Sequence, residues 1–250
     1  MRSYAIGDIH GHLGKLILAH DLIEADRLRT GDREAPVVHV GDLVDRGPDS
    51  RGVVDHLLDG IADGEPWVVL KGNHDRLFAN FMEDPAHQDS GLRPIRNWLS
   101  APIGGRETLL SYGVHSALNG ELLDVHEEAL NKVPLSHVTF LRDLPTSYAR
   151  GEAIFVHAGI RPGVPMDRQT EHDLVWIRHD FLNDTRDHGA LIVHGHTPID
   201  EATHYGNRLA IDSGAAFGGP LSAVVIEGRD AWLLTEDGRE ELRPYGLGAL

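Results

Sequence analysis

Asp8 and His10 in "GDIHG", Asp42 in "GDLVDRG", Asn73 in "GNHD", His157 in "VHAG" and His196 in "VHGHTP" all carry lone-pair donors, each with glycine close by. Carboxylate, imidazole and amide groups are ligands for divalent cations. No thiolate can join them, because the chain has no cysteine. Such a mixed oxygen and nitrogen set favours Mn, Fe or Zn. The chemistry that suits it is hydrolysis of a phosphate ester at two cations ~3.5–4 Å apart, which clamp the phosphoryl group and lower the pKa of water. A carboxylate must bridge two such ions to offset their repulsion, and Asp42, central in the order of the motifs, is the candidate. Asp8 and His10, facing the same way from an extended segment, would complete one shell. Asn73, His157 and His196 would complete the other. His194 competes with His196, which is preferred because Gly195 lets the chain turn just before it.

Elements must bring these residues together, and every motif follows an apolar stretch. "SYAIGD" (3–8), "PVVHVGD" (36–42) and "PWVVLKGN" (66–73) read as short buried strands. Between them, 14–28 groups Leu16, Ile17, Leu18, Leu22 and Ile23, and 50–60 groups Val53, Val54, Leu57 and Leu58, at helical spacing. Alternating strands and helices predict a parallel sheet with crossovers, in which functional groups gather beyond the carboxyl ends of the strands. Residues 80 to 150 read as a mostly helical insertion with loops that covers the site, with a helix over 121–142. Strands return at 153–159, 190–198, 207–215, 221–228 and 230–237, the last two joined by "GRD" as a hairpin. His39 is expected in the core and His12 near the metals. His20, His56, His87, His126, His137, His172, His179, His188 and His204 are expected to face water.

A chain of 250 residues, 41% hydrophobic and 25% charged, is expected to form one α/β domain over 1–250. Its formal net charge of −16 repels nucleic acid. No apolar run approaches the ~20 residues that span a bilayer, and the N-terminus lacks the apolar core of a signal peptide. A cytoplasmic, soluble protein without membrane contacts is expected. The absence of cysteine excludes a thiol-nucleophile phosphatase.

"GDIHG", "GDLVDRG" and "GNHD", in that order, resemble the signature of the phosphoprotein phosphatase (PPP) branch of the metallophosphoesterases. "VHAGI" and "VHGHTP" are similar to that family's fourth and fifth metal-binding segments, and the similarity runs from residue 3 to about 226. "WIRHDF" (176–181) and "IDSGAAFGGPLS" (211–222) look closest to the bacterial and phage lambda-type serine/threonine protein phosphatases. The resemblance implies a four-layer α/β/β/α sandwich holding two divalent ions, Mn first, with Fe or Zn as alternatives. It implies that Arg46 and Arg178 bind phosphate oxygens with their forked donors, alongside Asn73 and His74. His74 would be the general acid, its ring fixed and kept cationic by Asp45. The implied reaction is direct attack by metal-activated hydroxide on phosphoserine or phosphothreonine in a protein, with phosphotyrosine a further substrate. Ala158 stands where "HGG" is common. "HAG" also occurs in the symmetrical diadenosine tetraphosphate hydrolases, whose small substrate is the alternative, whereas Asp45 points back to the protein phosphatases. His12 stands where another polar residue or Cys is the family's choice.

Overall fold

The computed structural model describes residues 1–245. The first half runs β1 (Arg2–Ile6), α1 (Leu13–Thr30), β2 (Val37–His39), α2 (Ser50–Ala62), β3 (Trp67–Val69), α3 (Asn73–Glu83), α4 (Gly105–Ser111), α5 (Leu122–Lys132) and α6 (Leu135–Asp143). The second runs β4 (Ser147–Arg150), β5 (Ala153–Val156), α7 (Glu171–Trp176), α8 (His179–Leu182), β6 (Leu191–His194), β7 (Thr203–His204), β8 (Arg208–Ala210), β9 (Ala223–Glu227), β10 (Asp230–Thr235) and β11 (Gly238–Glu241). Two mixed sheets result, ordered β11-β10-β9-β1-β2-β3 and β4-β5-β6-β8-β7. β1, β2 and β3 are parallel, as are β5, β6 and β8.

Alternation along the strands divides the core into layers. Ala5, Val38, Val224 and Ile226 of the first sheet meet Phe155, Leu191, Val193 and Leu209 of the second. On the outer face of the first sheet, Tyr4, Ile6, Val37 and Val225 pack with Leu16, Val53, Leu57, Phe78 and Leu109 from the helices. Val156 and Ile192 meet Leu174 and Phe181 outside the second. The predicted α/β sandwich of two sheets with helices outside is the observed architecture.

Several local expectations are corrected. The helix over 121–142 is two helices, because Pro134 cannot continue the first and instead starts the second. Only α4 to α6 are helical across 84–143 apart from a short 3₁₀ turn at 115–117; residues 84–104 carry no helix or strand. Ile17 and Leu18 of α1 are 42% and 50% exposed while Leu16 and Ile23 are buried, since consecutive residues lie about 100° apart around a helix. β4, β7 and β11 are additional strands. β9 and β10 form the expected hairpin, and β10 pairs onward with β11. Among the described residues no helix is long and apolar enough to cross a membrane.

Four histidines expected in water turn inward. His39, fully buried, meets His20 at 2.9 Å between their Nε2 atoms, and His20 Nδ1 meets His56 Nε2 at 3.0 Å, with Trp67 stacked on His20 at 4.2 Å. His137 lies against the Tyr112 hydroxyl at 3.0 Å, and His204 Nε2 donates to the Arg229 carbonyl at 2.9 Å. Burial holds the His39 imidazole down at about 3. Its unfolded counterpart takes a proton near pH 6.5, so the unfolded state binds more protons between those values and stability falls as pH drops through that window. His39→Gln is expected to flatten the pH dependence of unfolding free energy between about pH 6.5 and 4 by up to one proton, roughly 1.4 kcal/mol per pH unit. Urea titrations at four pH values check it.

Candidate active site

The carboxyl ends of the parallel strands converge. Asp8 and His10 follow β1, Asp42 follows β2, Asn73 opens α3 just after β3, and His157 and His196 follow β5 and β6. Five non-glycine residues among those described have left-handed φ: His10 (46°), Asp42 (51°), Asp45 (75°), Arg46 (68°) and His196 (66°). All five are candidates from the sequence. Such conformations cost on the order of 1–3 kcal/mol each and persist only where the surroundings impose them. Here the Asp42 carbonyl accepts from His10 N at 2.8 Å and Ile9 N at 3.1 Å, and the Asp8 carboxylate accepts from His196 N at 3.0 and 3.2 Å. Two glycines permit the close approach. A Cβ on Gly72 would lie 2.2 Å from Asp42 Oδ1, and one on Gly195 would lie 1.9 Å from Asp8 Oδ1. Gly195 is therefore required for clearance above Asp8 rather than for a turn.

Two buried groups share Asp42. His10, Asp42 and His74 form one; Asp42, His157 and His196 form the other, with the ligand atoms of each within 4.8 Å of one another. The two carboxylate oxygens divide between them: Oδ2 lies 3.4 Å from His10 Nε2, and Oδ1 lies 3.3 Å from His157 Nε2. Asn73 Oδ1 approaches the same His157 nitrogen at 3.0 Å. Ring tautomers follow from the backbone. His10 Nδ1 faces the Val44 carbonyl at 2.8 Å and His157 Nδ1 faces the Val40 carbonyl at 2.9 Å, so each Nδ1 carries the hydrogen and each Nε2 presents a lone pair. Burial lowers the pKa of His10, His157 and His196, keeping them neutral. Burial, Asp212 and Asp42 together raise Asp8.

These donors fit divalent cations. At His157 Nε2, lone pairs from nitrogen, Asn73 and Asp42 face one another, and the buried His196 Nε2 has no hydrogen-bond partner. Uncompensated lone pairs and crowded carboxylates are costly unless a cation sits among them. Asp8 belongs to neither three-residue group in this geometry; its carboxylate accepts from His196 N and keeps further lone pairs that a cation could use.

His74 and Asp45 make a tight pair. His74 Nδ1 donates to Asp45 Oδ2 at 2.6 Å, and Asp45 also accepts from Trp98 Nε1 at 2.8 Å and the Thr108 hydroxyl at 2.7 Å. The ring's free edge faces Arg46, which donates to His74 Nε2 at 3.0 Å and His10 Nε2 at 2.7 Å. Phe217 lies over the Arg46 guanidinium, 5.3 Å from it. Arg178 is exposed and donates to the Thr197 hydroxyl at 3.4 Å.

A cavity of about 550 Å³ opens over this cluster, lined by His10, Asp42, Arg46, Asn73, His74, Arg178 and His196 and also by Arg93, Arg96 and Trp176. Asp8 and His157, both buried, are not among its lining residues. Asp212 also lines the cavity, and burial pushes its carboxyl up to about 6. Asp212 ends the apolar run "RLAID" just as Asp8 and Asp42 end theirs, a signal present in the sequence but not taken up. Trp98, Thr108, Arg93 and Arg96 sit in segments whose sequence gives no such sign.

The profile of the calcineurin-like phosphoesterases matches residues 1–226. The chain belongs to this family. A relative from Anoxybacillus flavithermus named asymmetrical bis(5'-nucleosyl)-tetraphosphatase PrpE is 27% identical over 228 residues, covering 88% of each chain. One of the same name from Halalkalibacterium halodurans is 27% identical, covering 90% of this chain and 89% of its own. A crystal structure described as a putative diadenosine tetraphosphatase superposes with a TM-score of 0.60 at 22% identity, covering 98% of this chain and 94% of its own. The cold-active protein-tyrosine phosphatase of a psychrophilic Shewanella does so at 0.60 and 15%, covering 97% and 80%. At these identities the superpositions show the fold alone.

The expectation of a serine/threonine protein phosphatase acting on a phosphorylated protein is thereby corrected: the two sequence relatives above, matched over 88% and 90% of the chain, are named for nucleotide tetraphosphates. The reason is physical. The glycine-flanked motifs build phosphoryl-transfer machinery that serves either substrate, and Asp45 orients His74 whatever oxygen leaves. Metal binding separates the two groups in a testable way. Asp42→Asn is expected to lower the divalent metal retained by the purified chain at both groups, whereas His196→Ala spares the first and gives an intermediate content. Elemental analysis of the three proteins measures it.

Proposed function

We propose that the chain hydrolyses dinucleoside tetraphosphates at two divalent cations, Mn in first place and Fe or Zn as alternatives, cutting the phosphate chain asymmetrically. The observation that carries this reading is the charge of the cavity. Four arginines, Arg46, Arg93, Arg96 and Arg178, line it, and none has a carboxylate partner among the described residues. A phosphate monoester brings only about two negative charges, whereas a four-phosphate chain brings enough to engage all four. The named relatives supply the nucleotide and the asymmetry.

Asp8, His10, Asp42, Asn73, His157 and His196 would hold the cations. Bound there, divalent ions neutralise charge at the attacked phosphoryl group and make water nucleophilic near neutral pH. Arg46 and Arg178 grip the oxygens of that group through paired N–H donors. Arg46 now donates to two imidazole nitrogens, and an entering phosphate offers it stronger, charged acceptors. Water adds across one P–O–P bridge: its oxygen joins the attacked phosphorus, the bridge bond to the leaving oxygen breaks, and that oxygen takes a proton. His74, fixed through Nδ1 by Asp45 and freed at Nε2 once Arg46 turns to the phosphate, takes up a proton there to balance the one the attacking water gives up and delivers it to the leaving oxygen.

A four-phosphate chain cut asymmetrically yields a nucleoside triphosphate and a monophosphate; a symmetrical cut yields two diphosphates. Chromatography of diadenosine tetraphosphate after limited turnover is expected to show the first pair in equal amounts. Two diphosphates defeat the asymmetry, and hydrolysis of p-nitrophenyl phosphate without any nucleotide turnover defeats the substrate class. His74→Asn is expected to lower kcat on the dinucleotide roughly 10²-fold, the low end for lost acid catalysis, because a phosphate leaving oxygen is a weak base. An unchanged kcat removes the acid role.

A further inference from the structure

Two of the four arginines stand apart from the other two. Arg46 bonds to His10 and His74, and Arg178 bonds to Thr197 beside His196, so both belong to the attacked phosphoryl group. Arg93 and Arg96 come from the segment 84–104 and, among the described residues, make no hydrogen bond or ion pair to the candidate ligands with which they share the cavity.

That segment has no helix or strand, yet it is pinned at both ends of the short span that carries the two arginines. Asp89, 1% exposed, accepts from Arg76 Nε at 2.9 Å and from Gly91 N at 2.8 Å. Gly91 lies so close to the Trp176 indole that a Cβ would sit 2.2 Å from the ring. On the other side, Trp98, Leu99 and Ile103 enter the core with Phe81 and Leu109. The anchoring elements are themselves parts of the site: Arg76 and His74 share α3, and Trp98 holds Asp45. The arm is therefore indexed to the chemistry it overlooks.

On this arm, the side chains of Arg93 and Arg96 have no ion pair or hydrogen bond among the described residues, although acidic residues outnumber basic ones by 39 to 23. Guanidinium groups gathered on one cavity repel each other until an anion arrives. We infer that Arg93 and Arg96 form a second anion subsite, which binds the phosphates beyond the one attacked and so sets where the chain is cut. This rests on the dinucleoside tetraphosphate reading for its natural ligand. The subsite's chemistry is that of a polyphosphate, held by forked donors a fixed distance from the centre.

The two claims can be tested separately with inorganic probes. Calorimetric titration of the full chain in saturating Mg²⁺ with tripolyphosphate and with orthophosphate gives a ratio of affinities. Wild type is expected to favour tripolyphosphate by about tenfold or more, and Arg93→Ala/Arg96→Ala to lose about tenfold of that ratio. The double lysine variant, which keeps the charges, is expected to retain part of it. Arg93 is exposed and Arg96 half-buried, so neither change opens the core. An equal ratio in wild type and the double alanine variant overturns the subsite even if dinucleotide turnover is strong. A lowered ratio in a protein inactive on diadenosine tetraphosphate upholds the subsite and sinks the nucleotide reading instead.

Discussion

One carboxylate, that of Asp42, stands between two sets of imidazole nitrogens, and much of the first sheet exists to hold it there. Its Oδ2 faces His10 and its Oδ1 faces His157, residues delivered by strands of different sheets. Three parallel strands end in register, so that Ile6, His39 and Val69 lie side by side and the residues just beyond them meet. The buried Asp75 carboxylate ties the β2 and β3 ends together by accepting from Leu43 N at 2.9 Å and Gly72 N at 2.8 Å. The left-handed backbone at Asp42, Asp45 and Arg46 is the conformational cost of turning three consecutive functions inward within five residues. Packing of Leu43 and Val44 into the core offsets it, because those side chains anchor the turn that the polar ones occupy.

This explains what could be read from the sequence. A buried strand followed by a short polar residue with glycine nearby is a local pattern, and five such ends carry their chemistry openly. Asp42, His157 and His196 could be located without knowing the fold. The supporting residues are different in kind. Trp98 and Thr108 bond to Asp45 from 53 and 63 positions away; Trp98 lies on irregular backbone and Thr108 in the seven-residue α4, too short to show a period. Polar contacts made by irregular backbone leave no spacing to read. Edge strands were hidden for a related reason: β4 and β11 are only partly buried, so no alternation of buried and exposed positions marks them. The break at Pro134 was legible, since proline stops a helix regardless of context.

Substrate class is written in a different part of the chain from reaction type. The motifs specify a site that attacks phosphorus, and any ester or anhydride of phosphate satisfies that requirement equally. Under the proposed reading, the discrimination between a protein side chain and a dinucleotide would fall to residues 90–103, where Arg93 and Arg96 line the same cavity as Arg46 and Arg178. The arm reaches the strand-end motifs through Trp98 on Asp45 and through the Gly104 carbonyl, which accepts from Arg46 N at 3.2 Å. One fold can thus serve several phosphate substrates.

Long-range and local electrostatics oppose each other in this molecule, and the opposition has a purpose in selectivity. A net charge of −16 repels every polyanion at a distance, so approach is not steered, and beyond about 8–10 Å salt screens whatever remains. Inside the cavity four guanidinium groups stand with the Asp42 and Asp212 carboxylates and supply cationic donors that the overall charge lacks. A ligand must then be small enough to enter and charged enough along its length to meet the arginines on both sides. A nucleic acid meets the second condition but carries its repulsion over a long strand that stays outside. A short phosphate chain, the substrate class proposed above, would meet both.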